Sequence, residues 1–405
     1  MMGRRLILGQ PARSKRRALE EALPLELMER MEILGEDGCA RLGVVKTAHG
    51  DVETPVFMPV GTQGAVKAAT HRDLKEMGVK IILANAYHLY LRPGDGLIKE
   101  LGGIHRFAGW DGSVLTDSGG YQIFSLGVLR EIKEDGVMFQ SHIDGSKHFL
   151  SPEKAIEVQE NIGADICMCF DECVPYPASF EYTMSSVALT SRWAMRCKDA
   201  KKGNGTLLFG IVQGGFYDEL RVQSAREIVS MDFDGYALGG LSVGEPKALM
   251  WDMVDAAAKY LPREKPRYMM GLGFPEDIVE GVRKGIDMFD CVIPTRHARN
   301  GSLFTSGGRL NIKHARYTKD TEPLDRECGC YTCRNFSRSY LRHLFISHEL
   351  TGYYLNTLHN IRFYTDLIKR IRDAIRERRF ESFYNDFKTK WEGGESQNEY
   401  SACNG

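Results

Sequence analysis

No stretch of this chain approaches the ~18 consecutive apolar residues of a membrane span. The sequence therefore predicts no transmembrane helix. Neither sign of charge is in excess: 53 basic and 54 acidic residues leave a net charge of −1. That balance conceals any local patch and says nothing of partners. Tryptophan is scarce, with four residues, fewer than a carbohydrate-gripping cleft usually exposes. A secreted disulfide framework is also missing, because the ten cysteines do not pair by spacing. The thiols read as reduced, in a cytoplasmic protein, with some of them binding metal.

Three of those cysteines carry the strongest local signal. Cys328, Cys330 and Cys333 stand in Cys-Gly-Cys-Tyr-Thr-Cys, and His359 stands in Leu-His-Asn downstream. Three thiolates and one imidazole can close a tetrahedral Zn2+ site with no position left for substrate. Such a site is a structural clip for a module too small to hold itself by burial. The module is basic: ten lysines and arginines from Arg296 to Arg342 face four acids, Asp320, Glu322, Asp325 and Glu327. A positive, metal-clipped module on a near-neutral protein points to a bound polyanion.

Short continuous apolar runs recur at 55–60, 80–84, 113–116, 165–170, 207–212, 235–238, 267–270 and 288–293. Runs of this kind suit strands buried on both faces. Amphipathic stretches lie between them, at 152–161, 247–260 and 275–284, the first with Ser151 as N-cap and Pro152 at the first helical position. Eight strand–helix units predict an α/β fold, a (β/α)8 TIM barrel; an open doubly wound sheet is the alternative. Residues 131–150 read as an inserted β-hairpin after the third strand. The zinc module, 299–360, is inserted after the last. The barrel domain is expected to span 37–390. A basic, disordered or loosely helical extension is expected at 1–36, with Met28 and Met31 as possible starts, and a polar tail at 391–405.

Polar residues close the runs: Asn85, Asp117, Asp171, Gln213 and, in the eighth, Asp290. In a barrel these converge at the C-terminal mouth. The glycine pairs 119–120, 214–215 and 239–240 let backbone approach a ligand closely. A flat polar ligand such as a nucleobase fits such a slot, with Tyr121 and Met270 as residues to sandwich it. Two carboxylates beside an anomeric carbon can break a glycosidic bond. A third can accept hydrogen bonds from an amidine-like edge such as that of guanine.

The motifs Glu-Thr-Pro-Val-Phe-Met-Pro-Val-Gly-Thr at 53–62, Thr-Asp-Ser-Gly-Gly-Tyr-Gln at 116–122 and Phe-Asp-Glu-Cys at 170–173 carry a close resemblance. So do Val-Gln-Gly-Gly at 212–215, Leu-Gly-Gly-Leu at 238–241, Phe-Asp-Cys-Val at 289–292 and the zinc motif. From residue 37 to about 390 the chain resembles the bacterial tRNA-guanine transglycosylases. The resemblance implies exchange of the wobble guanine of GUN-anticodon tRNAs for 7-aminomethyl-7-deazaguanine, in queuosine biosynthesis. It implies Asp290 as the nucleophile of a covalent ribosyl-enzyme and Asp117 as the proton-handling group. Asp171, Gln213 and the Gly240–Leu241 backbone match base-recognition positions, and Asn85 joins them as substrate-binding. Tyr121 and Met270 match the residues on either face of the base, and Arg296 and Arg299 match contacts to the anticodon loop. Cys173 and Val243 resemble the bacterial pattern. A homodimer, a 7-deazaguanine-type base and the tRNA anticodon loop are the implied partners. Two other functions compete: a barrel glycoside hydrolase, and a catalytically silent RNA-binding partner.

Overall fold

The computed structural model describes residues 30–126, 130–203 and 205–392. An antiparallel sheet comes first, with β1 Met31–Asp37, β2 Ala40–Thr47 and β3 Gly50–Thr54. The barrel begins with β4 Val56–Pro59, β5 Ile81–Ala84 and β6 Ser113–Thr116. An insertion follows, with β7 Arg130–Lys133, β8 Gly136–Gln140 and β9 Lys147–Leu150. The barrel resumes with β10 Ile166–Met168, β11 Leu207–Val212, β12 Gly235–Leu238, β13 Arg267–Met269 and β14 Met288–Cys291. A hairpin, β15 Ser302–Thr305 and β16 Gly308–Asn311, opens the last insertion.

Eight strands pair in parallel in the order β4-β14-β13-β12-β11-β10-β6-β5. A parallel bridge from Val60 to Leu83 brings the two ends of that order together. The expected barrel is therefore present, and the open sheet is not. Strands β5, β6, β11 and β12 are buried along their whole length, as their unbroken apolar runs require. The interior is filled by Met58, Leu83, Leu115, Met168, Phe209, Ile211 and Met288. A second layer packs the outer strand faces against the helices, around Phe170, Trp193, Phe289 and Tyr364. The helix Pro152–Ile162 starts where the sequence places it, Ser151 accepting from the Lys154 amide.

Three expectations need correction. Strand β1 crosses the boundary set at residue 36; of the predicted extension, only residues 1–29 lie outside the described residues. Met31, Val45 and Val52 of this small sheet join the barrel-interior cluster and close its floor. The insertion after the third barrel strand is a three-stranded sheet, not a hairpin. Its extra strand, β7, carries only charged residues and one isoleucine, too little alternation to read. The expected tail is corrected at its start as well: the helix Phe380–Glu392 carries Trp391 into the core against Phe387.

The floor is held by a buried ion pair. Arg41 of β2 donates through Nε to Asp287 at 3.0 Å and through Nη2 to the same carboxylate. The Arg267 amide adds a bond of 2.7 Å. Both Arg41 and Asp287 are buried. Removing one partner leaves the other charge unsolvated, at a cost of about 3–5 kcal/mol. Arg41→Ala should lose that much stability in urea melts, whereas breaking an exposed pair such as Lys75–Asp111 should leave the melt nearly unchanged.

Candidate active site

Each polar strand end arrives at the same rim. Asn85 follows β5, Asp117 follows β6, Gln213 follows β11, and Asp290 lies within β14. Asp171 comes three residues after β10. All five are buried.

Asp117 is gripped from three directions. It accepts from Asn85 Nδ2, from the Ala86 amide at 2.9 Å and from Gln122 Nε2 at 2.8 Å. Burial still dominates and pushes its carboxyl up to about 6, and the charge of Asp290 pushes the same way. Asp171 accepts from Gln213 Nε2 at 2.6 Å and from Ser118 Oγ at 3.2 Å. Burial lifts it to about 6 as well, with a contribution from Asp117. Asp290 is also raised by burial, against the Tyr268 hydroxyl and the Gly271 amide, which favour its charged form. Those two bonds, at 2.5 and 2.8 Å, both end on Oδ1. Neither is made to Oδ2.

Gln213 carries an open valence. Its Nε2 is committed to Asp171, but its Oε1 is buried with no protein partner. Gly240 explains how this amide fits. A Cβ there would sit 2.3 Å from Oε1, and the residue has φ +64°. Gly120 plays a similar part, since a Cβ would lie 2.8 Å from the Asp171 carbonyl oxygen. The glycine pairs therefore make room for protein side chains as much as for a ligand.

The remaining predicted residues are placed as follows. Tyr121 is exposed on the helix Gly120–Leu126, and Met270, half-buried, follows β13. Leu241 is buried beside Gly240. Arg296 and Arg299 lie on the short helix Ile293–Arg299 that leaves β14; Arg296 is exposed, and Arg299 bonds the Thr295 carbonyl at 2.7 Å.

Sequence reasoning missed three supports. Tyr268 was read only as part of an apolar run. Gln122 was only one letter of a motif. Arg221 is fully buried beneath the rim and ties its loops together: Nε donates to the Gly215 carbonyl at 2.8 Å, Nη1 to that of Gly239 at 2.7 Å and Nη2 to that of Gly240 at 3.2 Å. A signal existed. Arg221 shares the buried stripe of its helix with Leu220, Ser224, Ala225 and Ile228, where arginine is out of place.

The second centre lies in the last insertion. The Sγ atoms of Cys328, Cys330 and Cys333 and one His359 nitrogen lie within 4.8 Å of one another. His359 Nδ1 is 3.3 Å from Cys333 Sγ and 3.7 Å from Cys330 Sγ. A tetrahedral zinc ion separates its sulfur and nitrogen ligands by about 3.6 Å. His359 Nε2 bonds the Phe304 carbonyl at 2.7 Å, which leaves Nδ1 as the ligating atom. The four donors fit a metal ion. His359 rides on the 27-residue helix Leu350–Arg376, whose first turns pack in the insertion and whose later turns pack on the barrel.

The chain is thus an α/β barrel with a carboxylate-lined mouth and, apart from it, a four-donor cluster able to hold a metal ion. Comparison with known proteins gives the particular kind. A family profile described as queuine tRNA-ribosyltransferase matches residues 37–393. A protein of Solidesulfovibrio magneticus with that name is 58% identical over 361 residues, covering 89% of this chain and 97% of its own. One from a Thermoanaerobacter species is 58% identical over 353 residues, 87% and 94% of the two chains. One from Acetivibrio thermocellus is 53% identical over 371 residues, 91% and 98%. The chain belongs to the queuine tRNA-ribosyltransferase family and is a pentosyltransferase.

The raised carboxyl of Asp117 has a consequence for stability. A folded-state value about 2 units above the ordinary one corresponds to about 3 kcal/mol. That stability is present below about pH 4 and is lost as pH rises through about 6. Asp117→Asn should therefore gain on the parent above pH 6, but by less than about 3 kcal/mol, because the bonds from Asn85, Ala86 and Gln122 all lose their charge assistance in exchange. The gap should close in acid. Urea melts at both ends of the range measure it.

Proposed function

We propose that this enzyme exchanges the wobble guanine of GUN-anticodon tRNAs for 7-aminomethyl-7-deazaguanine through a covalent ribosyl–Asp290 intermediate. The carrying observation is the pairing of two differently held carboxylates at one rim. Asp290 has both hydrogen bonds on Oδ1, which stabilise its charge and leave Oδ2 as the attacking atom. Asp117, near 6, can both give and take a proton close to neutral pH.

In the first step Oδ2 of Asp290 bonds to the ribose anomeric carbon as its bond to guanine N9 breaks. The bonding pair leaves with the base, which takes a proton from Asp117. In the second step the incoming base returns a proton to Asp117. Its N9 attacks the same carbon and releases Asp290. A target base in a single-stranded loop leaves its stack at least cost. Asp171 and Gln213 recognise the base, with the Gly240–Leu241 backbone beside them. The unpartnered Oε1 of Gln213 is a waiting acceptor for a ligand N–H. Tyr121 and Met270 cover its faces. Asn85 acts through its bond to Asp117. Exposed Arg296 and neighbouring Arg299 meet the phosphates of the anticodon loop. The ion held by the cysteines and His359 is a structural zinc. With all four donors from protein, it holds the insertion in shape and takes no part in the exchange. The working form is a homodimer in the cytoplasm.

Unmodified tRNA incubated with labelled guanine tests the reaction. The enzyme should incorporate label and give a covalent adduct on denaturing gels. Asp290→Asn should remove the adduct and cut incorporation by on the order of 10³-fold or more. An adduct of normal yield from that variant would place the nucleophile elsewhere.

Cys330→Ser should lose the equivalent of zinc held by the cysteine cluster, read by metal analysis. It should weaken tRNA binding while binding of free guanine persists. Full zinc in this variant would remove Cys330 from the ligand set.

A further inference from the structure

A second cluster with metal-ligand chemistry lies at the opposite end of the barrel. His49 sits in the turn between β2 and β3, His105 on the helix Gly103–Ala108, and Asp165 immediately before β10. Their ligand atoms lie within 4.8 Å of one another. The Asp165 side chain is fully buried, that of His105 is 13% exposed and that of His49 is 39% exposed.

The carboxylate is oriented by backbone. The His49 amide donates to Oδ1 at 3.1 Å and the Val114 amide to Oδ2 at 2.8 Å. Each oxygen keeps one lone pair, and each of those faces an imidazole nitrogen. His49 Nδ1 is 2.8 Å from Oδ1, and His105 Nε2 is 3.1 Å from Oδ2. The two rings stack at 3.4 Å with 12° between their planes. Asp165 pairs with both histidines. Two neutral imidazoles and one carboxylate carry a net charge of −1, a set suited to a dication.

We propose that His49, His105 and Asp165 bind a second divalent ion of the zinc type, with solvent completing its coordination beside the exposed His49. Tetrahedral ligands at ~2.0–2.2 Å lie about 3.4 Å apart. The two observed nitrogen–oxygen separations are a few tenths of an ångström shorter, and the stacked rings must turn out of parallel so that each in-plane lone pair faces the ion. Imidazole nitrogen and carboxylate oxygen suit zinc, and no thiolate takes part. The ion would tie three segments far apart in sequence, joining the small antiparallel sheet to the barrel floor. The site needs nothing from the catalytic rim, so it stands or falls independently of the proposed exchange.

The full-length protein, stripped of metal and titrated with Zn2+, should bind two equivalents per chain. His49→Ala and His105→Ala should each lose one, and Cys330→Ser the other. His49 lies in an exposed turn, so its variant should keep the parent's circular dichroism. Co2+ separates the two sites by spectrum: the cysteine site gives thiolate charge-transfer absorption, and the histidine site gives only weak visible bands. Those visible bands should vanish in His49→Gln, which keeps a polar group beside Asp165. Zn2+ beyond the first equivalent should raise the melting temperature of the parent and not of the histidine variants. Saturation at one equivalent in the parent would overturn the proposal, and the histidines would then serve only as hydrogen-bond donors to Asp165. A second equivalent that persists in the His49→Ala, His105→Ala double variant would overturn it as well.

Discussion

Eight strands running the same way must all end on the same rim, and the gathering of carboxylates there depends on that constraint. Hydrogen bonding between parallel neighbours fixes their relative stagger, from Met288 beside Val56 around to Ile81 beside Ser113. A side chain one residue past a strand therefore has little freedom over where it arrives. Asn85, Asp117, Gln213 and Asp290 meet because the backbone leaves them no other place. The interior layers of Met58, Leu115, Met168 and Phe209 stop any of them from sinking further.

Convergence brings an energetic difficulty. Three carboxylates buried near one another repel, and burial alone disfavours each charge. The structure eases this with neutral donors. Amides and hydroxyls aim at each carboxylate: Asn85, Gln122 and Ala86 on Asp117, Gln213 and Ser118 on Asp171, Tyr268 and Gly271 on Asp290. Neutral donors lower the cost but do not abolish it, so Asp117 and Asp171 settle near 6. A charged partner would have driven them far lower and fixed them as anions. The buried arginine is kept one layer below, where Arg221 spends its donors on loop carbonyls. That separation keeps its positive charge off the three carboxylates.

The strands of the barrel were legible because each is buried on both faces and reads as one apolar run. The small sheet β1–β3 was not. Strand β1 mixes buried, intermediate and exposed residues, β3 is mostly exposed, and Gly35, Glu36, Asp37 and Gly38 dilute what alternation there is. Among the site residues, those ending strands stood out because polar groups there are conspicuous. Tyr268 and Arg221 act from inside an apolar strand and a helix, where position and not residue type gives them their role. The metal cluster was legible by spacing, since Cys330 caps the helix that brings Cys333 back toward it. The distance to His359 was not, because it depends on how the helix Leu350–Arg376 docks.

That helix links the two centres mechanically. Its early residue Leu355 belongs to the core of the insertion, while Tyr364, Leu367, Ile368 and Ile371 belong to the core of the barrel. His359 lies between them, and the next residue, Asn360, bonds the Pro294 carbonyl at 2.9 Å and the Phe304 amide at 3.1 Å. Pro294 opens the turn of helix that carries Arg296 and Arg299. A ligand set that fixes His359 thus fixes the helix, the helix fixes the segment leaving β14, and that segment begins one residue after the strand that holds Asp290. The metal cluster and the carboxylate rim are separate in chemistry. They share one backbone path, so a disturbance at the cysteines reaches the basic surface before it reaches the rim.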